Sequence, residues 1–337
     1  MKILYIGNKL SGHGFNKTTI EILGKSFEEE DYDVFYTSKK KNQFLRLLDM
    51  MWTTVKCAKK ANFIIIDTYS TSSFWYAFFC SQIARVFKTK YIPILHGGNL
   101  PKRLEVNPKL CKMLFNNAFI NVAPSNYLLS EFNNNGFQNV VYIPNSIEIK
   151  KYPFKVRKLF EPKLLWVRAF ATIYNPKMAV DVLKELQVHF PKASLTMVGP
   201  DKDGSMENTK QYANKLGVEV CFTNRLTKEE WIDLSIESDF FINTTHFDNT
   251  PISVMEAMAL GLPVVSTNVG GLSYLLEHNE DSLLVNDNDV SQMVIEISKL
   301  ITNAEKTQKI ASLARLKIEK MDWNFVKEKW NALFLEE

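Results

Sequence analysis

The sequence predicts an α/β protein with two doubly wound domains that face each other across a cleft. Short apolar runs alternate with helix-length amphipathic segments through most of the 337 residues. Such uniformly apolar runs are typical of strands buried on both faces of a parallel sheet. The alternation pauses near Asn145 and then resumes, as expected of a linker between two domains. Because such sheets bind ligands beside the carboxyl ends of their strands, we expect a site in the cleft.

The first series of elements defines a predicted domain over residues 1–150. Its first helix is expected at 17–30, where apolar residues recur at helical spacing and acidic residues take the exposed positions. The apolar runs of this half predict six strands, at 2–6, 33–37, 63–67, 91–95, 118–123 and 140–143. This order of strand and helix predicts a parallel sheet covered by helices.

The second series follows a charged segment, 146–162, which contains two prolines and has no clear period. We interpret this segment as the linker, residues 151–322 as the second domain, and the amphipathic stretch 323–337 as a helix that returns to the first domain. The predicted strands lie at 164–167, 194–198, 219–222 and 240–243, and the predicted helices at 176–189, 206–216, 228–235 and 253–260.

Composition narrows the class of protein. Residues 1–150 carry 19 Lys and Arg against 11 Asp and Glu, whereas residues 151–337 carry 22 against 26, so the first half is expected to face something anionic. The four cysteines are scattered without a CxxC pair, which predicts neither a metal site nor disulfides and suits a reducing cytoplasm. No nucleic-acid-binding module is recognisable. The apolar start of the chain is too short for a secretory signal and indicates a strand.

The stretch 244–271 predicts one structural unit of strand, sharp turn, helix, strand and glycine turn. Thr250 is expected to cap the helix, with Pro251 at its first position, where a missing N–H costs nothing. The open N-terminus of this helix offers N–H groups and a partial positive charge to a phosphate. Asp248 lies on the turn and Glu256 about two turns into the helix, where its carboxylate can reach a sugar hydroxyl. This arrangement suits a sugar nucleotide.

The same residues carry a resemblance to a known family. Asp248 and Glu256 are separated by seven residues and are followed by AMALGLPVV and NVGG. In this pattern the chain resembles the retaining glycosyltransferases of the GT-B fold, family four, also called glycosyl transferases group 1. The resemblance implies two Rossmann-like domains, with Glu256 on the ribose and Asp248 on the transferred sugar. The chain departs from the family in having Asp248 where Glu is usual and Tyr274 where a Glu is frequent.

Further site residues follow from the resemblance. Arg168 comes directly after a predicted strand, where the family places an arginine on the diphosphate. Lys177 corresponds to a second phosphate cation, in a helix that begins with Asn175 as cap and Pro176 as first residue. Fixed cations and helix dipoles commonly replace a metal in this fold, so we expect none. The alternative interpretation of both cations is an ordinary surface ion pair.

Three other places complete the expected site. By resemblance, His96 at a strand end contacts the donor sugar, although a histidine there is often only a structural side chain. Gly12 and Gly14 form a loop that the family closes over donor phosphate and acceptor. Asn224 and Arg225 lie in the turn that contacts the nucleotide base. The family has glycine where Asn224 stands, and asparagine also tolerates a positive φ.

One segment of the first domain has two interpretations. Phe44, Leu47, Leu48, Met51 and Val55 repeat at helical spacing, between lysines on either side. The favoured interpretation is a helix that packs on the first sheet. The alternative is a basic amphipathic surface that contacts an anionic membrane from its inner face.

Together these observations predict a retaining, metal-independent glycosyltransferase, a hexosyltransferase that moves a sugar from a nucleotide-diphosphate donor to an acceptor hydroxyl. We expect no cofactor, and a uridine diphosphate donor with a guanosine diphosphate donor as the alternative. The expected acceptor is a saccharide or lipid-linked saccharide in envelope polysaccharide, capsule or glycolipid synthesis. We expect a cytoplasmic protein without nucleic-acid partners. The alternatives are a non-catalytic sugar-nucleotide-binding protein, or an epimerase or phosphorylase on the same fold.

Overall fold

The structure is a computed structural model that describes residues 1–13 and 18–335. The chain forms two compact units, the first Met1–Ser146 and the second starting at Ile147. Each unit contains a six-stranded sheet whose paired strands are parallel, with helices between consecutive strands. The predicted pair of doubly wound sheets is confirmed. The expected boundary at residue 150 and the expected return of 323–337 to the first domain stay predictions.

In the first unit the strand order is β2-β1-β3-β4-β5-β6. The strands are β1 Lys2–Ile6, β2 Asp33–Thr37, β3 Phe63–Tyr69, β4 Lys90–His96, β5 Asn121–Ala123 and β6 Val140–Tyr142. The helices are α1 Thr19–Glu29, α2 Gln43–Cys57, α3 Phe74–Val86, α4 Leu100–Val106, α5 Pro108–Phe115 and α6 Asn126–Asn134. The chain winds outward in opposite directions from β1 and β3, so the topological switch point lies between these two strands.

In the second unit the order is β12-β11-β10-β7-β8-β9, which places the switch point between β7 and β10. The strands are β7 Lys163–Val167, β8 Ser194–Val198, β9 Cys221–Asn224, β10 Phe240–Asn243, β11 Val264–Thr267 and β12 Leu283–Val285. The helices are α7 Pro176–His189, α8 Ser205–Leu216, α9 Lys228–Glu237, α10 Ile252–Ala259, α11 Leu272–Leu275, α12 Val290–Thr302, α13 Ala304–Glu319 and α14 Trp323–Leu335.

Burial explains where the sequence located the strands well and where it did not. All four residues of β10 and of β11 are buried, and such strands stand out as apolar runs. The edge strand β9 has no buried residue and begins at Cys221, two positions later than its apolar run suggested. The segment interpreted as a linker packs on the second unit, because Tyr152 and Phe160 belong to its core clusters.

None of the helices in the described part of the chain is both long enough and apolar enough to cross a membrane.

Candidate functional site

The switch point of the second unit carries an arginine and a carboxylate. Arg168 follows β7 and Asp248 follows β10, and their side chains form an ion pair in which they are 15% and 18% exposed. The Arg168 guanidinium also lies over the ring of Tyr174, 4.1 Å from the ring centroid. Burial lowers the pKa of Arg168, while Tyr174 acts in the opposite direction. A guanidinium and its carboxylate partner therefore lie at the edge of the sheet where such folds bind ligands.

Glycine backbone fixes the position of Arg168. The Arg168 N–H donates to the Val198 carbonyl oxygen over 3.0 Å, and Gly199 continues this loop with a φ of 152°. A Cβ built on Gly199 would overlap the Arg168 carbonyl oxygen. Only glycine permits the two backbone segments to approach this closely, so Gly199 helps to fix the backbone of Arg168.

The turn after Asp248 leads into α10, and here the predicted cap is wrong. The helix begins at Ile252, with Pro251 in the cap position at φ −70° and ψ 118°, and no side chain caps it. Because Pro251 takes the cap position, Thr250 lies one residue too far from the first turn to cap it. The hydroxyl oxygens of Thr250 and Ser253 are buried without a hydrogen-bond partner among the described residues.

A double glycine supports this turn from the other side. The Gly271 N–H donates to the Asp248 carbonyl oxygen over 2.8 Å. A Cβ on Gly270 would overlap that same oxygen, and a Cβ on Gly271 would overlap the carbonyl oxygen of Asn249. The glycine turn that ends the sequence motif therefore sets the position of the turn that carries Asp248.

Glu256 lies in α10 and is 3% exposed. Its Oε1 accepts a hydrogen bond from the Tyr152 hydroxyl at 2.7 Å and forms an ion pair with the Lys228 Nζ. Burial and the neighbouring Glu256 raise the pKa of Tyr152, so its hydroxyl stays protonated and donates. One carboxylate oxygen is thus held by a neutral donor and by a lysine that is 43% exposed.

Sequence reasoning missed both partners of Glu256. Tyr152 lies in the segment interpreted as a linker, where nothing in the pattern indicated a site. Lys228 had a local signal, because Thr227 and Glu230 form a capping box that fixes Lys228 as the first residue of α9. That signal locates the start of a helix, but the pairing with Glu256 depends on tertiary contact.

Lys177 and the expected helix cap Asn175 lie at the start of α7. Lys177 is exposed, and its Nζ lies 5.4 Å from the ring centroid of Tyr212. Asn175 precedes Pro176 as expected, but it has a φ of 47° and its side chain donates to Asn288 instead of capping the helix. The left-handed backbone turns the Asn175 side chain away from the helix N-terminus. The phosphate role of Lys177 stays a prediction.

Asn224 ends β9 with the positive φ that its place in the pattern requires, 58°. Its carbonyl oxygen accepts a hydrogen bond of 2.8 Å from Gly199, which joins this turn to the loop beside Arg168. The expected contacts of Asn224 and Arg225 with a nucleotide base stay predictions.

The first unit carries a separate polar cluster beside its own switch point. His96 ends β4, is 7% exposed, and its Nε2 lies 2.9 Å from Oδ1 of Asp67. Tyr5 donates to the same oxygen over 3.1 Å, and the Tyr69 ring stacks on the imidazole with centroids 4.9 Å apart. Burial and the adjacent Asp67 raise the pKa of Tyr5, which keeps its hydroxyl protonated.

Asp67 is a functional candidate that sequence reasoning passed over. It was counted only as the last residue of an apolar strand, yet its side chain is fully buried. A buried carboxylate is costly unless it has partners, so an aspartate at the end of a strand such as Phe63–Tyr69 was an available signal. Its position allows it to fix the orientation of the His96 ring.

The predicted glycine loop is described only in part. Gly12 lies in the short 3₁₀ turn Ser11–His13, and a Cβ built on it meets no atom within 4 Å. Gly14 lies outside the described residues. The roles expected for both glycines stay predictions, as does the contact of His96 with a donor sugar.

The structure thus places Arg168, Asp248 and Thr250 after the central strands of the second sheet and Glu256 on the helix that follows, while His96 belongs to the cluster of the first unit. The sequence profile of the family "Glycosyl transferases group 1" matches residues 148–317, half of the chain and the part that holds these four residues. The chain belongs to this family, and it is a group 1 glycosyltransferase by family and fold.

Individual relatives agree with this assignment. An uncharacterized glycosyltransferase of Haemophilus influenzae is 27% identical over 199 residues, which cover 58% of this chain and 55% of the relative. The sulfoquinovosyl transferase SQD2 of Arabidopsis thaliana is 28% identical over 150 residues, covering 43% of this chain and 28% of the relative. The matches therefore span about half, or less, of these relatives.

Among solved structures, the HepE protein of Anabaena in complex with UDP and glucose has a similar fold. It superposes with a TM-score of 0.77 over 100% of both chains at 19% sequence identity. At this identity the likeness establishes the fold, which is the GT-B fold expected from the sequence.

Proposed function

We propose that this chain is a retaining, metal-independent glycosyltransferase that transfers a sugar from a nucleotide-diphosphate donor to an acceptor hydroxyl. One observation carries the proposal. At the switch point of the second unit, Asp248 pairs with Arg168 and lies two residues before Thr250 and five before Ser253. The Thr250 and Ser253 hydroxyl oxygens and the Arg168 Nε are buried without hydrogen-bond partners among the described residues. Buried polar atoms are normally satisfied, so such a group suits a polar ligand.

The chemistry of these groups matches the parts of the donor. Free N–H groups at the start of α10 and the Arg168 guanidinium are suited to the diphosphate, since both favour negative charge. The Glu256 carboxylate is suited to accept hydrogen bonds from ribose hydroxyls, with Lys228 and Tyr152 holding it in place. Asp248, one methylene shorter than the usual glutamate, is proposed to accept a hydrogen bond from a hydroxyl of the transferred sugar.

In the proposed reaction the anomeric carbon loses its bond to the diphosphate oxygen and gains one to the acceptor oxygen on the same face of the sugar. The departing diphosphate takes the acceptor proton, so no protein nucleophile is consumed. Arg168 and the dipole of α10 stabilise the negative charge that develops on the leaving oxygen. Fixed positive charge of this kind does the work that a metal ion does in other phosphate-leaving reactions.

The proposal includes the identity of both substrates. The HepE complexes with UDP and UDP-glucose support a uridine diphosphate donor for this chain. The acceptor is proposed to be a saccharide or lipid-linked saccharide of the cell envelope, which the chain meets in the cytoplasm or in peripheral contact with the membrane. The excess of Lys and Arg over residues 1–150 supports an anionic acceptor surface.

A thermal-shift screen tests donor binding. A panel of UDP-, GDP- and ADP-sugars is titrated into the purified chain, and the true donor raises the melting temperature by mass action. Glu256→Gln and Arg168→Met are expected to reduce the shift. No shift with any nucleotide sugar contradicts the proposal.

The reaction itself is tested by NMR of the product made from the donor found in that screen. We expect the α or β configuration of the donor to be preserved and turnover to survive excess EDTA. Donor binding with no transfer to any envelope extract favours the non-catalytic alternative. Epimerised donor or released sugar in the absence of acceptor favours the epimerase or phosphorylase.

A further inference from the structure

Helix α2 of the first unit is exposed along one apolar face. Its opposite face packs inward, with Met50 and Thr54 buried and Leu47 and Met51 against the core cluster. The exposed large side chains follow each other at helical spacing: Phe44 (67%), Leu45 (54%), Leu48 (46%), Trp52 (61%) and Val55 (40%). The two interpretations drawn from the sequence therefore apply to different faces of one helix.

Helix α3 lies beside α2 and continues this apolar surface. Trp75 and Phe79 are 42% and 37% exposed and stack on each other with ring centroids 6.0 Å apart. About two turns beyond Phe79, Val86 is 79% exposed. Phe44 of α2 lines a cavity of about 320 Å³ together with Trp75 and Phe79. We call the exposed side chains of these two helices the α2–α3 face.

Aromatic and aliphatic side chains grouped on neighbouring helices form a patch, not the scattered exposure that is normal for a surface. Tryptophan is well suited to the boundary between a bilayer and water, because its ring is apolar and its N–H is polar. Trp52 and Trp75 both lie on the α2–α3 face.

The charged residues around this face are almost all basic. Residues 39–60 contain seven Lys and Arg and a single acidic residue, Asp49. Residues 74–90 add Arg85, Lys88 and Lys90 and contain no acidic residue. Lys56 lies with its Nζ 4.9 Å from the ring centroid of Trp52, so its aliphatic stem lies along the apolar surface and its charge at the rim. Apolar side chains inside a basic rim complement anionic lipid.

We propose that the α2–α3 face docks the chain on an anionic bilayer. The exposed aromatic side chains enter the boundary between headgroups and acyl chains, and the surrounding lysines contact lipid phosphates. This proposal rests on the peripheral membrane contact included in the proposed function and identifies the residues that make that contact. Its test requires no glycosyl transfer, so the two proposals fail independently.

The test is co-sedimentation of the full chain with vesicles. Wild type is expected to bind vesicles that mix phosphatidylglycerol with phosphatidylcholine, to bind pure phosphatidylcholine far more weakly, and to dissociate as salt is raised. Leu48→Glu is expected to weaken binding at least about ten-fold, because it removes an inserted side chain and adds a repelled charge. Leu316→Glu is the matched control, since Leu316 is also an exposed helical leucine at 55%.

A charge-removal pair tests the basic rim. Lys59→Ala with Lys60→Ala is expected to weaken binding about thirty-fold. The control, Lys150→Ala with Lys151→Ala, removes two adjacent exposed lysines of the second unit and should bind as wild type does.

Three results overturn the proposal. The first is absence of wild-type binding to the anionic vesicles. The second is equal binding to both lipid mixtures. The third is equal loss in the Leu48 and Leu316 variants. A dimer in light scattering that Leu48→Glu converts to monomer, without vesicle binding, would assign the α2–α3 face to self-association instead.

Discussion

Both units are doubly wound parallel sheets with different strand orders, and they carry different chemistry at or beside their switch points. At the switch point of the second unit, Arg168 and Asp248 form an ion pair, and Glu256 on α10 is paired with Lys228. Beside the switch point of the first unit lies a buried cluster built on a single carboxylate, Asp67, with tyrosine and histidine as its partners.

The different side chains at the two switch points indicate which part of a substrate each sheet is suited to bind. Arginine beside a helix N-terminus favours a diphosphate, which carries most of the charge of a nucleotide sugar. An imidazole held by a buried carboxylate suits a neutral hydroxyl instead. The fold supplies the location in both units, and a few side chains decide which part of a substrate is recognised there.

The largest effect is expected from Glu256→Gln. This change keeps the shape of the side chain but removes the charge that Lys228 and Tyr152 hold, so kcat/KM should fall about a hundred-fold or more. The control is Glu296→Gln in α12, because Glu296 is similarly buried (7%) and also pairs with a lysine, Lys299 at 2.7 Å. The measurement is steady-state kinetics. Equal losses of kcat/KM in the two variants would contradict the assignment of Glu256 to the site.

Arg168→Lys should lower kcat/KM about ten- to hundred-fold, because one ammonium cannot replace the fork of guanidinium donors. Arg157→Lys provides the comparison, since the buried Arg157 donates to carbonyl oxygens of Ser235, Ser238 and Gly261. Its loss should lower stability by about 2 kcal/mol and leave kcat/KM nearly unchanged. Kinetics and thermal melts of both variants check this prediction. Equal changes in kcat/KM and in melting temperature would contradict the separate roles assigned to the two arginines.

Asp67→Asn should lower kcat/KM about ten-fold, because a weaker partner no longer holds the His96 ring in one orientation. Imidazole ¹⁵N spectra should show a changed His96 tautomer, which a merely structural role would not produce. Asp281→Asn, at a buried aspartate paired with Lys317, is the control. Unchanged His96 signals in Asp67→Asn would contradict the positioning role.

The smallest expected effect is a difference between the two units in how their stability depends on pH. In the first unit, burial raises the pKa of the Cys80 thiol to about 12. Its contribution to stability is therefore complete below the unfolded pKa of about 8.5 and is lost as pH rises toward 12, by about 2 kcal/mol at pH 10.

In the second unit, burial lowers the pKa of Arg157 to about 10, and Asp239 opposes that shift. Here the unfolded chain binds more protons than the folded one above pH 10, so the contribution of this group rises with pH. Calorimetry between pH 8 and pH 11 should show a larger decrease in melting temperature for the first unit than for the second. Cys80→Ala should reduce the decrease in the first unit. Equal decreases in the two units would contradict the effects assigned to Cys80 and Arg157.

The fold was largely predictable because burial on both faces of a parallel sheet leaves a clear record in the sequence. The bounds of β1, β2, β8, β10 and α7 were predicted residue for residue. A local motif made it possible to predict that Asp248 lies on a turn and Glu256 in the helix that follows. The positive φ of Asn224 was likewise predictable from the residue type and its place in the pattern.

What could not be predicted depends on contacts between distant segments. Tyr152 and Glu256 are 104 residues apart, and Lys228 and Glu256 are 28 apart, so no spacing rule joins them. The capping error at Thr250 has a local cause, because proline satisfied the cap position without a side-chain hydrogen bond. The exposed face of α2 could not be separated from its buried face by periodicity, since both faces are apolar.

Gly199, Gly270 and Gly271 each lie so close to the backbone of a site residue or its neighbour that a Cβ would overlap a carbonyl oxygen there. In a library of random variants, these three positions should therefore be as intolerant as the charged positions they support. A search for the active centre among reactive side chains alone would overlook these glycines. An alanine at any of the three positions would nevertheless displace the site residues.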